Sequence, residues 1–311
     1  MGKAQRFIDI VRERGIMEAL DSTKRYLYSE ILRYSVELKY GKGTYIMEED
    51  WDNLILLDAC RHDYFKESVE FVEGTSRKTS RAHESWGFMK ENFHQQKNHD
   101  TVYVTANPYA ERLNQNTFYT VESLLSQWDS DTGTVLPETV TEAAIQAEEE
   151  YPNKRLIIHY MQPHTPHLGD TSKKYNTSGW DGTAAIPGDY TLGEQAGESM
   201  FSLYENGHIS REELVKSYKE NINIIEPHIK HLLNNISGKT VISADHGENL
   251  GEKKYGKILT GHTYDSEETR IVPWVELPFD ERKKVIEESP IGFESLSQEY
   301  IQDRLRDLGY V

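Results

Sequence analysis

The sequence predicts an α/β protein built on a mostly parallel central sheet with helices on both faces. Short apolar runs such as NLILLDA (53–59) and RLIIHYM (155–161) have the continuous hydrophobicity of strands that are buried on both sides. Between them lie segments with helical character, such as PETVTEAAIQAEEEY (137–151), which begins with proline. Strands that alternate with helices form parallel sheets covered on both faces, so these observations together indicate the class.

The other elements are predicted from hydrophobic periodicity and from the turn-forming residues that end each segment. In chain order we expect two helices over 3–38 broken near Gly15, a turn at Gly41-Lys42-Gly43, a loop and helix within 60–71, a helix over 85–93, a strand over 101–108, a helix from Ser210 to about Asn235, strands over 238–245 and 270–277, and a final helix over 299–310. Ser210 and Glu213 form a capping box at the start of the long helix. Pro273 cannot donate a ladder hydrogen bond, so the strand over 270–277 is expected at an edge.

Two segments stand apart from this alternation. Residues 1–45 are expected to form a helical extension packed on a catalytic domain over 46–311. Basic residues lie among the apolar ones over 3–36. We expect an amphipathic helical hairpin packed on the domain, and the alternative is peripheral contact with a membrane surface. Residues 168–209 are rich in Gly, Thr, Asp and Ser, and a loop of this length is expected to be functional or mobile.

Composition excludes several classes of protein. Asp and Glu total 52 against 35 Lys and Arg, and the net charge of −17 disfavours a nucleic-acid partner. Cys60 is the single cysteine, so an intrachain disulfide is excluded. No stretch approaches the ~20 apolar residues that a membrane span needs. We therefore expect a cytoplasmic protein without a transmembrane segment, of undetermined oligomeric state.

Polar side chains end several of the predicted strands. Ligands of open α/β sheets bind at the carboxyl ends of the strands, which places Asp58, Asn107, His159 and Asp245 near one rim. The strongest local pattern is VISADHGENLGE (241–252), in which Asp245 and His246 directly follow an apolar strand. Carboxylate and imidazole together suit Zn²⁺ or Mn²⁺, with Mg²⁺ and Ca²⁺ as further candidates. The alternative is an aspartate at a helix N-cap followed by a surface histidine.

Further histidines follow another strand, in HYMQPHTPHLG (159–169). The prolines favour an extended loop that presents His164 and His167 in one direction. Either residue completes a second metal site or binds an anionic ester; alternatively, one histidine is satisfied internally and the others are exposed. His262, in GHT, is a further candidate ligand because the others need a partner. One or two divalent ions are therefore expected.

The segment LLDACRHDYF (56–65) contributes three candidates. Asp58 ends the first strand and is expected to meet Asp245, although an aspartate that caps the next helix is the alternative. Arg61 either pairs with Asp63 or binds an anion. Cys60 is either a nucleophile or a small buried apolar residue.

These segments resemble, in order and spacing, the alkaline-phosphatase/sulfatase superfamily. The resemblance is carried by LLDACRHD, QPHTPH, SADHGE and the later GH, covers roughly residues 50–265, and is greatest to sulfatase-like proteins of archaea. It implies an alkaline-phosphatase-like fold in which Asp58, Asp245 and His246 hold a metal. It also implies a Ser, Thr or modified Cys nucleophile after the first strand.

Ser85, in SRAHESW, fits that position, and Ser80, Thr79 and Cys60 are its competitors. At a helix N-terminus, Ser85 would have its alkoxide and the incoming anion stabilised. The formylglycine motif Cys/Ser-x-Pro-x-Arg does not occur in the sequence. Its absence favours an unmodified hydroxyl and phosphoester chemistry.

The predicted function is a sulfatase-like, metal-dependent hydrolase of phosphate or sulfate esters. Ser85 is the expected nucleophile. His164 or His262 either holds a second metal or steadies the leaving oxygen, and Arg61, Arg81 or Asn107 contacts the anionic oxygens. Asp58, Asp245, His246, His262 and His167 are the candidate metal ligands. One alternative is a mutase or a transferase of phosphoglycerol-type groups, with 168–209 as a lid. Another is a non-catalytic relative that binds an anionic glycan or lipid head group.

Overall fold

A seven-stranded sheet organises the described part of the chain, which is residues 16–175, 177, 198–293 and 295–308 of this computed structural model. The strands found there are β1 (Asn53–Leu57), β2 (Ser76–Thr79), β3 (Asn98–Thr105), β4 (Phe118–Ser123), β5 (Arg155–Tyr160), β6 (Thr240–Ser243), β7 (Asn249–Lys254), β8 (Lys257–Gly261) and β9 (Ile271–Glu276). The α-helices are α1 (Ile16–Tyr40), α2 (His62–Ser68), α3 (Ser85–Asn92), α4 (Pro137–Glu150), α5 (Asp170–Lys173), α6 (Met200–Glu205), α7 (Arg211–Leu233), α8 (Glu267–Arg270) and α9 (Gln298–Asp307). Short 3₁₀ turns cover Ile46–Glu48, Pro108–Arg112 and Leu125–Gln127.

The strand order of the sheet is β2-β9-β6-β1-β5-β3-β4. The five strands from β6 to β4 run parallel, whereas β9 is antiparallel to both β6 and β2. Asn53 at the start of β1 is in register with Leu156 of β5 and Thr240 of β6, so the three central strands end at one rim. The predicted class, α/β with a mostly parallel sheet, is confirmed.

Apolar residues of the central strands alternate between two cores. Ile55 and Leu57 of β1 belong to the core that includes buried residues of α4 and α7. Leu54 and Leu56 belong to the opposite core, with α3 and α9. All five residues of β1 are buried, as the continuous hydrophobicity of the sequence predicted. The sheet is therefore covered on both faces, and its strand ends form a fixed rim.

The expectation that 270–277 forms an edge strand is wrong. β9 lies between β2 and β6, and the short strand β2 occupies the edge instead. The ladder between β9 and β6 involves only Val275 and Glu276 on the β9 side. Pro273 precedes that ladder, and its carbonyl accepts a hydrogen bond from the hydroxyl of Ser243 at 2.8 Å. An interior position tolerates this proline because its missing N–H is not needed there.

Other elements match the sequence to different degrees. The capping box of Ser210 and Glu213 begins α7 as predicted. The sequence patterns indicated neither β2 nor β4, nor the antiparallel pair β7–β8.

The N-terminal prediction is only partly within the described residues. The first of its two helices lies outside them, and the second is α1. The hydroxyl of Tyr28 on α1 donates to the carbonyl of Lys254 at 2.8 Å, and Lys39 pairs with Glu267 at 3.0 Å. The division at 45/46 stays a prediction. The predicted lid over 168–209 is described only at its flanks, which form α5 and α6. No helix in the described ranges is long and apolar enough to cross a membrane.

Candidate metal centre

The polar residues at the strand ends converge beneath one rim of the sheet. The amide nitrogen Nδ2 of Asn107, which follows β3, donates to Oδ2 of Asp58 at 2.7 Å. Nε2 of His159, in β5, lies 3.6 Å from Oδ2 of Asp245 and 3.8 Å from Oδ2 of Asp58. All four side chains are buried. Parallel strands of matched register therefore bring together four residues that are far apart in the sequence.

Asp58, Asp245 and His246 form the first ligand group, and their candidate ligand atoms lie within 4.8 Å of one another. Oδ1 of Asp245 accepts hydrogen bonds from the backbone N–H of His246 at 2.7 Å and of Ala59 at 3.2 Å. Its other oxygen, Oδ2, is buried and has no hydrogen-bond partner among the described residues. The chain continues from here into β7, so Asp245 does not cap a helix.

The orientation of the His246 ring suits ligation. Nδ1 lies 2.8 Å from the carbonyl oxygen of Gly247, which leaves Nε2 directed at the group. Nε2 lies 3.5 Å from both Asp58 Oδ1 and Asp245 Oδ2. A backbone contact that fixes the imidazole and leaves its second nitrogen for an ion is common at metal sites.

His164, Glu248 and His262 form a second ligand group of the same dimensions. Nδ1 of His164 is held by the carbonyl of Thr165 at 2.7 Å, and Nδ1 of His262 lies 3.2 Å from Oε1 of Glu248. The rings of His262 and His246 are 4.7 Å apart between centroids, so the two groups adjoin. Glu248 was not among the residues predicted from the sequence.

Burial dominates the electrostatics of both groups. It raises the pKa of Glu248 to about 8, with His164 opposing the shift, and it raises the pKa of Asp245, with His159 opposing. Burial, with neighbouring histidines, lowers the pKa of His164 and of His262 to about 4. The imidazoles are therefore neutral at pH 7, the form that binds metals, while the carboxylates need positive charge nearby. A divalent cation would supply that charge, and the mixed oxygen and nitrogen donors fit Zn²⁺ or Mn²⁺.

Ser85 lies against the first ligand group. Its Oγ is buried, 3.2 Å from Oδ2 of Asp58 and 3.2 Å from Nε2 of His246. Ser85 begins α3, and the residue before it, Glu84, is the N-cap. The Glu84 carboxylate accepts the backbone N–H groups of Trp86 and Gly87, so these two amides already have an acceptor. We predicted that this helix end would stabilise an anion, but these amides are engaged within the protein.

The competing nucleophiles are placed differently. The hydroxyl of Ser80 donates to the backbone carbonyl of Asp245. Cys60 is completely buried within the core, and its pKa is raised well above the ordinary value by burial and by the carboxylates of Asp63 and Asp245. The structure thus gives Cys60 the surroundings of a buried apolar residue. Thr79 lies in the edge strand β2.

Two predicted site residues are not brought into either group. The guanidinium of Arg61 pairs with Asp63 at 2.6 Å and with Glu252 at 2.6 Å, so the ion-pair alternative describes it. His167 is buried, with Nδ1 2.9 Å from the hydroxyl of Ser217. These contacts direct both side chains into the supporting structure around the centre.

Comparisons with known proteins give distant structural likenesses. No protein-family model and no curated protein sequence matches the chain. An integral membrane lipooligosaccharide phosphoethanolamine transferase A from Neisseria meningitidis is similar with a TM-score of 0.46 and 12% identity, over 88% of this chain and 58% of that chain. The C-terminal periplasmic domain of EptC from Escherichia coli, in complex with Zn, has a TM-score of 0.47 and 11% identity, over 72% of this chain and 71% of that one.

A putative sulfatase from Bacteroides thetaiotaomicron has a TM-score of 0.42 and 12% identity, over 77% of this chain and 66% of that chain. Of the Neisseria protein, by comparison, this chain spans only 58%, which is less than two thirds. Likenesses this slight do not assign an activity. The fold and the ligand groups define an α/β protein with a buried candidate metal centre.

Proposed function

We propose that this protein is a metal-dependent enzyme that cleaves phosphate or sulfate esters, with Ser85 as the nucleophile. The observation that carries the proposal is the position of the Ser85 hydroxyl, 3.2 Å from Asp58 and 3.2 Å from His246. A hydroxyl buried against a carboxylate–imidazole group is poised for activation by a bound cation.

Each ligand group would hold one divalent ion. Asp58, Asp245 and His246 would hold the first, and His164, Glu248 and His262 the second. When bound, the ions would lower the pKa of the hydroxyl and polarise the ester oxygens. Among the described residues, Oδ2 of Asp245 is buried without a hydrogen-bond partner, which supports a cation at the first group.

The chain itself provides the nucleophile and its alignment. Ser85 Oγ attacks the phosphorus or sulfur of the ester, and its proton passes to Asp58, the carboxylate that accepts its hydrogen bond. The bond between that central atom and the leaving oxygen breaks, and the proton that Ser85 lost leaves with the departing alcohol. Water then attacks the Ser85 ester and breaks its bond to Oγ; one water proton restores the Ser85 hydroxyl, and free phosphate or sulfate leaves the site. Asn107, which donates to Asp58 at 2.7 Å, positions the carboxylate.

The acceptor distinguishes hydrolysis from its alternatives. With an alcohol in place of water as the acceptor, the same site would be that of a transferase of phosphoglycerol-type groups or of a mutase. A third alternative is binding of an anionic glycan or lipid head group without turnover. The cytoplasmic location inferred from the sequence remains a prediction.

The test combines metal analysis with ester assays. The purified chain, loaded with Zn²⁺ or Mn²⁺, is assayed with an aryl phosphate, an aryl phosphodiester and an aryl sulfate, with and without glycerol as acceptor. We expect turnover of at least one ester and a covalent adduct on Ser85 by peptide mass spectrometry. New glycerol esters would identify transfer. A metal-loaded protein with neither turnover nor adduct would contradict the proposal and favour the binding alternative.

A further inference from the structure

Helix α1 presents an apolar stripe whose side chains are exposed in the described part of the chain. The stripe, here called the α1 seam, repeats at alternating spacings of three and four residues and comprises Met17, Leu20, Lys24, Leu27, Ile31, Tyr34 and Leu38. Its apolar members are exposed, from 43% at Leu20 to 78% at Leu38. The buried residues of the helix, Ala19, Leu32 and Val36, lie on another face. The seam therefore adds nothing to the core.

The spacing of the seam indicates what kind of surface fits it. Apolar residues that repeat every 3.5 positions are the pattern by which one helix packs along another helix. With 25 residues, α1 offers ~38 Å of length for such contact. Exposed large apolar side chains in a row, interrupted here only by Lys24, are uncommon on a monomer and mark interaction sites.

We propose that a second copy of this chain docks its own α1 seam against the first, in antiparallel orientation. With the two-fold axis at Ser29, Leu27 lies opposite Ile31 of the second copy, and Leu20 lies opposite Leu38 of the second copy. Lys24, the one charged member, then lies opposite Tyr34 of the second copy, where its ammonium group contacts an aromatic face. A parallel arrangement would instead place the two Lys24 side chains against each other.

The charges of α1 favour this partner over a membrane surface. The helix has four acidic and four basic residues, so it has no net charge to attract anionic lipid. Arg33 pairs with Glu30 at 3.0 Å and with Glu37 at 2.9 Å. These pairs flank the seam and neutralise both carboxylates, which would otherwise repel the second copy.

Contacts such as that of Tyr28 with Lys254 hold the other face of α1 against β7. The two bodies would therefore lie on opposite sides of the helix pair. Because each copy carries a net charge of −17, repulsion between them opposes association at low salt. Added salt should tighten the dimer, whereas it would weaken electrostatic adsorption to lipid.

Sedimentation of the full chain tests the docking surface. We expect a monomer–dimer equilibrium for the natural chain and a dissociation constant raised at least ~100-fold by Ile31→Glu, which places a carboxylate at the centre of the seam. Ile291→Glu is the matched control, because Ile291 is 61% exposed but lies outside α1. A natural chain that remains monomeric at about 100 µM, or a dimer that persists in Ile31→Glu, would overturn the proposal.

Disulfide trapping tests the orientation. Leu20→Cys and Leu38→Cys lie ~27 Å apart along one helix, so they cannot pair within one copy. An antiparallel dimer predicts a disulfide when the two variants are mixed, and none for either variant alone; the natural Cys60 is buried. A disulfide in Leu38→Cys alone would indicate parallel packing and refute the orientation.

Two further outcomes would assign the seam to another occupant. A monomer that floats with phosphatidylcholine–phosphatidylglycerol vesicles, and loses this binding in Ile31→Glu, would identify a lipid surface. A full chain that stays monomeric, with dimerisation only after deletion of residues 1–15, would assign the seam to that segment. Either result would overturn the proposal.

Discussion

The hydroxyl of Ser85 lies 3.2 Å from Nε2 of His246, although 161 residues separate them in the chain. Ser85 is placed by the first turn of α3, and His246 by the turn that follows β6. Nδ1 of His246 is held by the Gly247 carbonyl at 2.8 Å, so the nitrogen near Ser85 is the one available to an ion. The proposed nucleophile and a candidate metal ligand are therefore in direct contact.

Substitution of Ser85 should separate catalysis from metal binding. Ser85→Ala removes the hydroxyl without adding bulk, so we expect ester turnover to fall ~10³-fold or more, while metal content stays unchanged. Ser85→Thr retains a hydroxyl and should keep measurable turnover. The rates are compared at saturating substrate, and metal is measured by plasma mass spectrometry. Equal turnover in the natural chain and Ser85→Ala would exclude Ser85 as the nucleophile.

Glu248 should control the second ion without removing the first. Burial raises its pKa to about 8, so the carboxylate is costly unless a cation compensates it. Glu248→Gln keeps the shape and removes the charge, and we expect the metal stoichiometry to fall from two ions to one. Glu205→Gln, in which an exposed carboxylate is changed, is the control and should still bind two metal ions. Two ions in Glu248→Gln would refute the assignment of the second group.

Metal removal should destabilise the natural chain more than a variant that lacks the first group. Ion binding to the folded state adds ~2.7 kcal/mol when free metal is about 100 times the dissociation constant. Chelation should therefore lower the melting temperature of the natural chain. In Asp245→Ala the first site is lost, so chelation should lower the melting temperature of this variant less. An identical shift in both proteins would mean that Asp245 does not bind the ion.

Gly247 should be indispensable to the geometry of both groups. A Cβ at this position would lie 2.1 Å from the backbone carbonyl oxygen of Glu268, which cannot move as a side chain can. Gly247→Ala should therefore displace the turn that carries both His246 and Glu248, and we expect weaker metal binding and ~2 kcal/mol lower stability.

Gly256→Ala is the comparison for Gly247→Ala, because Gly256 faces open space in the β7–β8 turn. Its φ of +84° makes that substitution strained, but the site lies away from the ligands. By calorimetric titration, Gly256→Ala should bind Zn²⁺ with the affinity of the natural chain, whereas Gly247→Ala should bind it more weakly. Natural affinity in Gly247→Ala would show that the turn adapts.

Strand ends were predictable from the sequence, because an apolar run that stops at a polar residue marks the rim of a parallel sheet. This rule located Asp58 and Asp245 and brought His246 with it. It could not place 270–277 within the sheet, because Pro273 indicates only that one N–H is missing. The position of β9 then depends on where its ladder with β6 lies, and here that ladder begins at Val275, after Pro273.

The histidines show where local pattern stops being informative. His164 and His167 occur in the same proline-rich loop, yet His164 lies in the second ligand group and His167 turns to Ser217 on α7. Only a long-range contact distinguishes them. Glu248 was missed because its direction depends on the turn at Gly247, whose N–H donates to the carbonyl of Thr269 at 2.8 Å. The DHGE tetrapeptide was the available signal, since its glutamate closely follows two candidate ligands.

Asp52, remote from the ligand groups, should make folding stability depend on acid pH. Burial raises its pKa, but hydrogen bonds from Arg282 and from the backbone N–H groups of Lys239 and Lys283 outweigh burial, and the net pKa lies below the ordinary value of 3.8. A carboxyl with a lowered pKa contributes its stabilisation fully above that ordinary value. The contribution is lost as the pH falls through the lower value of the folded state.

Asp52→Asn removes this charge, and we expect it to cost ~2 kcal/mol near pH 7, because charged hydrogen bonds to a buried oxygen are lost. Since the natural chain loses the same stabilisation in acid, the difference between the two proteins should shrink toward about pH 3. Urea unfolding near pH 7 and near pH 3 measures this difference in the free energy of unfolding. Asp280→Asn, at an exposed position, should match the natural chain throughout. A difference for Asp52→Asn that is independent of pH would mean that packing, and not charge, makes Asp52 stabilising.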